Sequence, residues 1–244
     1  MTIPCTVRVY LDETHQLAAD ATVVATREDG LAFDRSPFYP GGGGQPSDTG
    51  LVTLADGATL HVVSVQADAD GVVWHATEPP PPPDSVGRLA RLTVDGARRL
   101  ALTRYHTVLH VLNTIALRDY GAWITGVQIG EDSSRIDFKW EGFSPAVVAE
   151  VEGKVNAALA ENRALKAYTI SEAEFRQRDD LRRTLTAEPP VVDGRVRVVE
   201  IVGFDAQACG GTHVATTAEV GHFRITRTDN KGRINKRLYV RLDD

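Results

Sequence analysis

Residues 97–121, ARRLALTRYHTVLHVLNTIALRDYG, decide how this chain is read. Apolar side chains at Tyr105, Val108, Leu109, Leu112, Ile115 and Ala116 recur at three- and four-residue steps, the period of a helix with one apolar face. Gly121 ends the pattern, as a residue that tolerates the left-handed backbone of a helix C-terminus. Within the same stretch His106 and His110 stand four apart. On a helix that spacing stacks both imidazoles on one face, within reach of a single ion. The zinc-protease HExxH pattern has the same spacing, but here Thr107 replaces the glutamate, so no general base accompanies the pair.

Before this helix the pattern is different. Short alternating runs recur between Gly, Asp and Pro punctuation: CTVRVYL (5–11), ATVVATRED (21–29), GLVTLADG (50–57), TLHVVSVQ (59–66), GVVWHAT (71–77) and RLARLTVD (88–95). That spacing predicts a small β-barrel or sandwich. Pro79–Pro83 is excluded from helix and central strand and reads as a stiff loop inside the β part. After the helix, TGVQIGEDSSRIDFKW (125–140) reads as a hairpin. Ser144 and Pro145 open a second helix with the face Val148, Val151, Val155, Leu159 and Asn162. Ser171 and Glu174 have the capping-box spacing of a short charged helix. RVRVVEIVGF (195–204), HFRITRT (222–228) and RLYVRL (237–242) read as strands. The expected fold is α+β: an N-terminal small β-barrel over 1–96, then an α+β part over 97–244.

Composition narrows the function classes. The chain has 244 residues, 42% hydrophobic and 25% charged, which supports a packed core and argues against disorder. No apolar run approaches the ~20 residues needed to cross a bilayer, so no membrane partner is expected. MTIPCTVRVYLDETHQ lacks the basic-then-apolar pattern of a secretory signal. Cys5 and Cys209 allow one disulfide at most, so a reducing cytoplasm is the expected compartment. Net charge is −6, yet residues 222–241 carry seven Lys or Arg against one acid, Asp229, a local +6. That asymmetry suggests a local phosphate contact, at residues such as Lys231, Arg233 and Lys236. The alternative is a solvated edge hairpin whose charge suppresses strand-to-strand association.

A second ligand pair follows, Cys209 and His213 of CGGTH. Two glycines disfavour a helix there, so a turn must bring the two side chains together. With His106 and His110 they make a His₃Cys set suited to one Zn²⁺. The site is either a closed structural one or an open one at which water or substrate binds. Gly41–Gly44 followed by Gln45 exposes backbone N–H groups and allows close approach to a ligand; without a following Lys-Ser/Thr it is no P-loop, and a hairpin tip is the alternative. Asp205 and Gln207 precede the turn, where they are candidates for orienting water or for holding the strand end.

YPGGGGQPSDTG (39–50) in the N-terminal β part, then HTVLH (106–110) and GFDAQACGGTHV (203–214), resemble the free-standing alanyl-tRNA editing proteins, the AlaX family. The likeness runs from about residue 34 to the C-terminus and, with its β part, is to the medium-length class. It implies that His106, His110, Cys209 and His213 hold zinc and that Gly42, Gly43, Gly44 and Gln45 lie beside the active site. It also implies an editing-pocket hairpin in which Gln128, and less directly Thr125, contacts substrate. Leu109 stands where the synthetase editing domains often have a threonine. The editing domain of threonyl-tRNA synthetase shares an HxxxH…CxxxH pattern, but the CGGTH turn and the glycine-rich β part favour the alanyl family.

The implied activity is hydrolysis of the ester joining serine or glycine to tRNA(Ala), with alanine spared. Small selection sites discriminate weakly between near-isosteres, which is why a second hydrolytic site is needed. The competing class is a non-catalytic tRNA-binding protein with structural zinc. It accounts for the basic hairpin and the metal, but not for the glycine run or the Gln128 hairpin.

Overall fold

Short β elements follow one another from the N-terminus: β1 (Val7–Arg8), β2 (Ala18–Arg27), β3 (Gly30–Phe33), β4 (Arg35–Ser36), β5 (Gly50–Leu54), β6 (Thr59–Ala67), β7 (Val73–Glu78) and β8 (Leu89–Val94). They belong to a computed structural model that describes residues 3–184 and 188–243. Six of them close into a barrel in the order β2-β3-β7-β6-β5-β8. Strand β8 shows why: its residues are exposed and buried in strict alternation, and Ala90, Leu92 and Val94 point inward. The interior is filled by Val23, Leu31, Phe33, Val52, Leu60 and their neighbours. Pro79–Pro83 forms the loop between β7 and β8.

Two local expectations change. CTVRVYL supplies only the two-residue β1; Val9–Leu11 is a 3₁₀ turn that buries Tyr10 edge-on to Tyr39, ring centroids 5.3 Å apart. Strand β3 was not among the alternating runs because all four of its residues are buried, which leaves no alternation to read.

His75 is a buried titratable group in the barrel. It is fully buried on β7, edge-on to Phe33 and Phe38. The Ser36 hydroxyl donates to Nε2 (2.7 Å), leaving Nδ1–H for the Leu31 carbonyl (3.3 Å). Burial lowers its pKa to about 4, against about 6.5 in an unfolded chain. Between those values the unfolded chain holds a proton that the folded barrel does not. Stability from this group is therefore complete above about pH 6.5 and falls as pH drops toward 4, by up to about 3 kcal/mol. Denaturant midpoints should fall between pH 7 and pH 4.5, and His75→Gln should flatten that fall. An equal fall in the variant would remove His75 as its cause.

Helix α1 (Gly96–Tyr120) begins where the Asp95 side chain accepts the Arg98 N–H (3.1 Å). Arg99 in its first turn is buried and satisfied. It pairs with Asp48 through Nε (3.0 Å to Oδ1) and Nη2, and also donates to the carbonyls of Thr14 (3.0 Å) and Pro37 (2.7 Å). Such a pair tolerates burial because each guanidinium nitrogen is bonded, and removing one partner of a buried ion pair costs about 3–5 kcal/mol. Gly121 closes the helix with φ 63°, its N–H bound to the Leu117 carbonyl.

The chain divides into one unit of Met1–Gly42 with Pro46–Leu100 and another of Gly43–Gln45 with Ala101–Asp244. The second contains β9 (Trp123–Gln128), β10 (Ser134–Lys139), α2 (Pro145–Ala160), β11 (Leu165–Ser171), α3 (Glu172–Phe175), β12 (Val191–Val192), β13 (Arg195–Ile201), β14 (Asp205–Ala208), β15 (His222–Asn230) and β16 (Asn235–Asp243). One sheet has the order β15-β16-β10-β9; in the other, β13 pairs β11, β12 and β14. Ser144 caps α2, accepting the Val147 N–H (3.3 Å), and Ser171 caps α3. Asn162 is not on the α2 face: it lies beyond Ala160 with φ 51°, after the helix has stopped.

The single apolar stripe expected for α1 is half of what is present. From Tyr105 to Ala116 the helix is buried on every side. Its apolar residues pack with Ile136, Phe138, Val151, Val155, Leu238 and Val240. Thr103, His106, Thr107, His110, Asn113 and Thr114 form a second stripe of helical period, polar and equally buried. A buried polar stripe must find partners, and those partners build the site. No helix among the described residues is long and apolar enough to cross a membrane.

Candidate metal centre

His106, His110, Cys209 and His213 converge, with one potential ligand atom from each lying within 4.8 Å of the others. The histidine pair is placed by the helical spacing of α1. The Cys209–His213 turn follows β14 directly, and Arg197 of β13 ties it down by donating from Nη1 to the carbonyls of Cys209 (3.0 Å) and Gly211 (2.9 Å). Cys209 Sγ lies 3.4 Å from His106 Nε2 and 3.4 Å from His213 Nε2. In a tetrahedral Zn²⁺ site, with bonds of about 2.3 Å to sulfur and 2.0 Å to nitrogen, those atoms stand about 3.5 Å apart. The residues present therefore fit one ion.

The other ring nitrogens of His106 and His213 are assigned by their surroundings. His106 Nδ1 meets Gln45 Oε1 at 2.6 Å. His213 Nδ1 meets Thr107 Oγ1 at 3.1 Å, while the Thr107 hydroxyl donates to the Thr103 carbonyl (3.0 Å) and accepts the Val214 N–H (3.2 Å). Both rings thus carry their proton on Nδ1 and present Nε2 to the ion position. The residue that replaces the protease glutamate holds a ligand instead of moving a proton. Burial lowers the pKa of His106 to about 3 and holds His110 and His213 well below the ordinary imidazole value, so all three are neutral ligands at pH 7. Burial raises the Cys209 thiol, opposed by the Gly211 N–H and by Arg197, so metal binding there releases a proton.

The glycine run reaches this centre from far away in sequence. Gln45 is 2% exposed, and its Nε2 donates to Thr212 Oγ1 (2.9 Å) within the CGGTH turn. The Gly44 carbonyl accepts the N–H of Ile129 (2.8 Å), the residue after Gln128. A side chain at Gly44, where φ is 85°, would meet Val127 O at 2.8 Å, so only glycine permits this approach. Gly43 and Gly44 are exposed, and so are Thr125 and Gln128 on β9. Gln128 Oε1 accepts from Arg135 Nε (2.8 Å), which turns the Gln128 amide nitrogen outward as a donor. Gly42 belongs to the first unit, where its carbonyl accepts the Tyr39 hydroxyl (2.9 Å). Leu109 faces the apolar core.

Asp205 is already engaged at both carboxylate oxygens. Oδ1 pairs with Arg183, and Oδ2 accepts from Thr114 (2.8 Å) and Gln207 (2.8 Å). Gln207 in turn bonds Asn113 (3.0 Å) and the His110 carbonyl (3.2 Å). These contacts make Asp205 and Gln207 struts between β14 and the His110 turn of α1.

The basic strands are β15 and β16. Their charge is more compensated than the count of cations implies, because Arg227 pairs with Asp229, Arg224 with Asp243 and Arg237 with Asp137. Lys231 lies 3.9 Å from Asp229, and the Lys236 ammonium caps the carbonyls of Gly232 and Arg233. Arg233 is exposed and has no carboxylate partner among the described residues. The turn is about 23 Å along β16 from Leu242, at roughly 3.3 Å per residue. Leu242 in turn donates to the Tyr105 hydroxyl, beside His106 in sequence (3.1 Å).

Residues 196–239 match the family described as the threonyl and alanyl tRNA synthetase second additional domain, and residues 4–98 match tRNA synthetases class II (A). The chain is thus a synthetase-related editing module with a His₃Cys centre. It belongs to the AlaX-M family of alanyl-tRNA editing proteins. It is 38% identical to the alanyl-tRNA editing protein AlaX-M of Methanosarcina acetivorans over 88% of this chain and 89% of that protein. Its identity to the AlaX-M protein of Methanosarcina mazei is 36%, over 97% and 96% of the two chains. An alanine–tRNA ligase of Methanothermobacter thermautotrophicus is 37% identical over 93% of this chain, which spans 25% of the ligase.

Proposed function

We propose that this chain is a trans-editing hydrolase that deacylates mischarged tRNA(Ala) in the cytoplasm, releasing serine or glycine and sparing alanine. The observation that carries this is the convergence of four ligand atoms within 4.8 Å, joined through Gln45 and Gly44 to the strand that presents Gln128. On this reading residues 1–96 are a barrel domain bearing the glycine motif, and 97–244 are the editing domain.

His106, His110, Cys209 and His213 hold one Zn²⁺, which supplies Lewis acidity to the ester carbonyl when bound. Gln128 and Thr125 contact the aminoacyl group, and the backbone of Gly42, Gly43 and Gly44 borders it. A donor aimed at the serine hydroxyl is left without that partner by alanine, and the discrimination this gives depends on the bound substrate covering the donor from water. Gln45 and Asp205 act on the site from behind it. Release of amino acid from Ser-, Gly- and Ala-tRNA(Ala) by the zinc-loaded protein is the deciding assay. Loss of serine or glycine with retention of alanine is expected. Release of neither would leave a tRNA-binding protein with structural zinc.

Lys231, Arg233 and Lys236 contact tRNA phosphates. Each phosphate neutralised adds about 0.7–0.9 to the slope of log affinity against log salt. Replacing all three with alanine should weaken tRNA binding and flatten that slope, with Arg233 contributing most because it is unpaired. Hydrolysis of a minimal aminoacyl ester should be nearly unchanged, given the distance along β16. An unaltered affinity and slope would make this turn a solvated edge.

A further inference from the structure

Gln45 is bonded at both ends of its amide within the candidate centre. Oε1 faces two N–H groups, His106 Nδ1 (2.6 Å) and the Thr212 backbone (3.4 Å), which identifies it as the oxygen. Nε2 donates to Thr212 Oγ1 (2.9 Å), and that hydroxyl is shared with Thr103 (2.8 Å) on α1. At 2% exposure the amide faces the protein interior.

We propose that Gln45 is a positioning residue for the metal: by accepting the His106 Nδ1–H it fixes the tautomer and plane of that imidazole, so that Nε2 is the ligand atom. This rests on the metal part of the reading above. Nε2 binds an ion only when unprotonated, so the ring proton must sit on Nδ1, and Nδ1–H needs a buried acceptor aligned with it. Gly211 is what lets the turn close on this pair: a Cβ there would lie 2.1 Å from His106 Cε1, 2.5 Å from Nδ1 and 3.1 Å from Gln45 Oε1. The neighbouring Gly44 carbonyl holds Ile129, so one short segment sets both the ring that binds metal and the strand that carries Gln128. The glycines let the chain come this close, and the glutamine is what it delivers.

The test uses the full chain, stripped with a chelator and titrated with Zn²⁺ against a chromophoric competitor. Parallel titration with Co²⁺ reads its ligand-field and thiolate charge-transfer bands. Gln45→Met removes both amide ends at similar volume. It should weaken Zn²⁺ binding about 10–100-fold and shift the Co²⁺ bands, as loss of an outer-shell partner does. Gln45→Glu keeps an acceptor toward Nδ1 and should bind Zn²⁺ at least as tightly as the natural chain, which a merely structural role would not produce. Should Gln45→Met fail to fold, Thr212→Val removes only the anchor of the amide and should give a smaller loss of affinity with altered Co²⁺ bands. Natural affinity and unchanged spectra in the folded Gln45→Met or Thr212→Val protein, or metal loss in folded Gln45→Glu, would overturn the assignment. If the natural chain binds neither ion, the metal reading itself fails, and this role with it.

Discussion

Cys209→Ala should reduce bound metal from one per chain to a small fraction and lower deacylation of Ser-tRNA(Ala) by more than about 100-fold, beyond the 10–100-fold that loss of an outer-shell partner costs. The thiolate is the only anionic group of the set, and two imidazole Nε2 atoms sit 3.4 Å from its sulfur. Removing it leaves three neutral, buried imidazoles around a divalent charge. His106→Ala should follow the same course. Cys5→Ala is the control, because Cys5 is exposed and its sulfur contacts only the carbonyls of Thr6 and Gly71. Metal analysis and single-turnover deacylation on the same preparations decide the matter. Full metal content in both His106→Ala and Cys209→Ala would refute the ligand assignment.

The four convergent residues were legible in the sequence because each pair is local. His106 with His110, and Cys209 with His213, announce themselves by a four-residue spacing, and the chain holds few other residues of those types. The barrel was legible for a similar reason: strands such as β8 are half-buried and alternate. What was hidden depends on contacts distant in sequence. The family resemblance implies that Gln45 lies beside the site, but its bonds to His106 across 61 positions and to Thr212 across 167 are encoded by no local period. Strand β3 is buried on both faces and so lacks the alternation that marks its neighbours. The polar stripe of α1 was in view as residue types, but its meaning lay in partners on β14 and the Cys209 turn. A buried arginine within the valine run of β13, Arg197, was the other missed signal: a cation there requires carbonyls to bind, and it finds those of Cys209 and Gly211. Charge was overread in the opposite direction. Counting cations over 222–241 took no account of Asp137 and Asp243, which the register of β10, β15 and β16 places opposite Arg237 and beside Arg224.

Gly211→Ala should disable the centre, whereas Gly210→Ala, one position away, should be mild. Neither glycine has a left-handed backbone, so the difference is steric. A methyl group on Gly211 would lie 2.1 Å from His106 Cε1, 2.5 Å from Nδ1 and 3.1 Å from Gln45 Oε1, driven into the ring and against its acceptor. These neighbours cannot give independently, because Gln45 is bound to Thr212 and His106 is held in a helix buried on all sides. Moving the imidazole misplaces a ligand, and a misplacement of about 1 Å in a catalytic constellation costs on the order of 100-fold in rate. Overpacking would add a stability loss of about 1–3 kcal/mol. At Gly210 the methyl would meet only the Cγ of Pro190, at 3.0 Å, and Cδ, at 3.9 Å, which a small shift of the proline relieves. Zinc affinity, the Co²⁺ spectrum and deacylation should therefore collapse together in Gly211→Ala and stay near the natural values in Gly210→Ala. The reverse order, or equal losses, would mean that the turn is required for its backbone path and not for the close contact with His106.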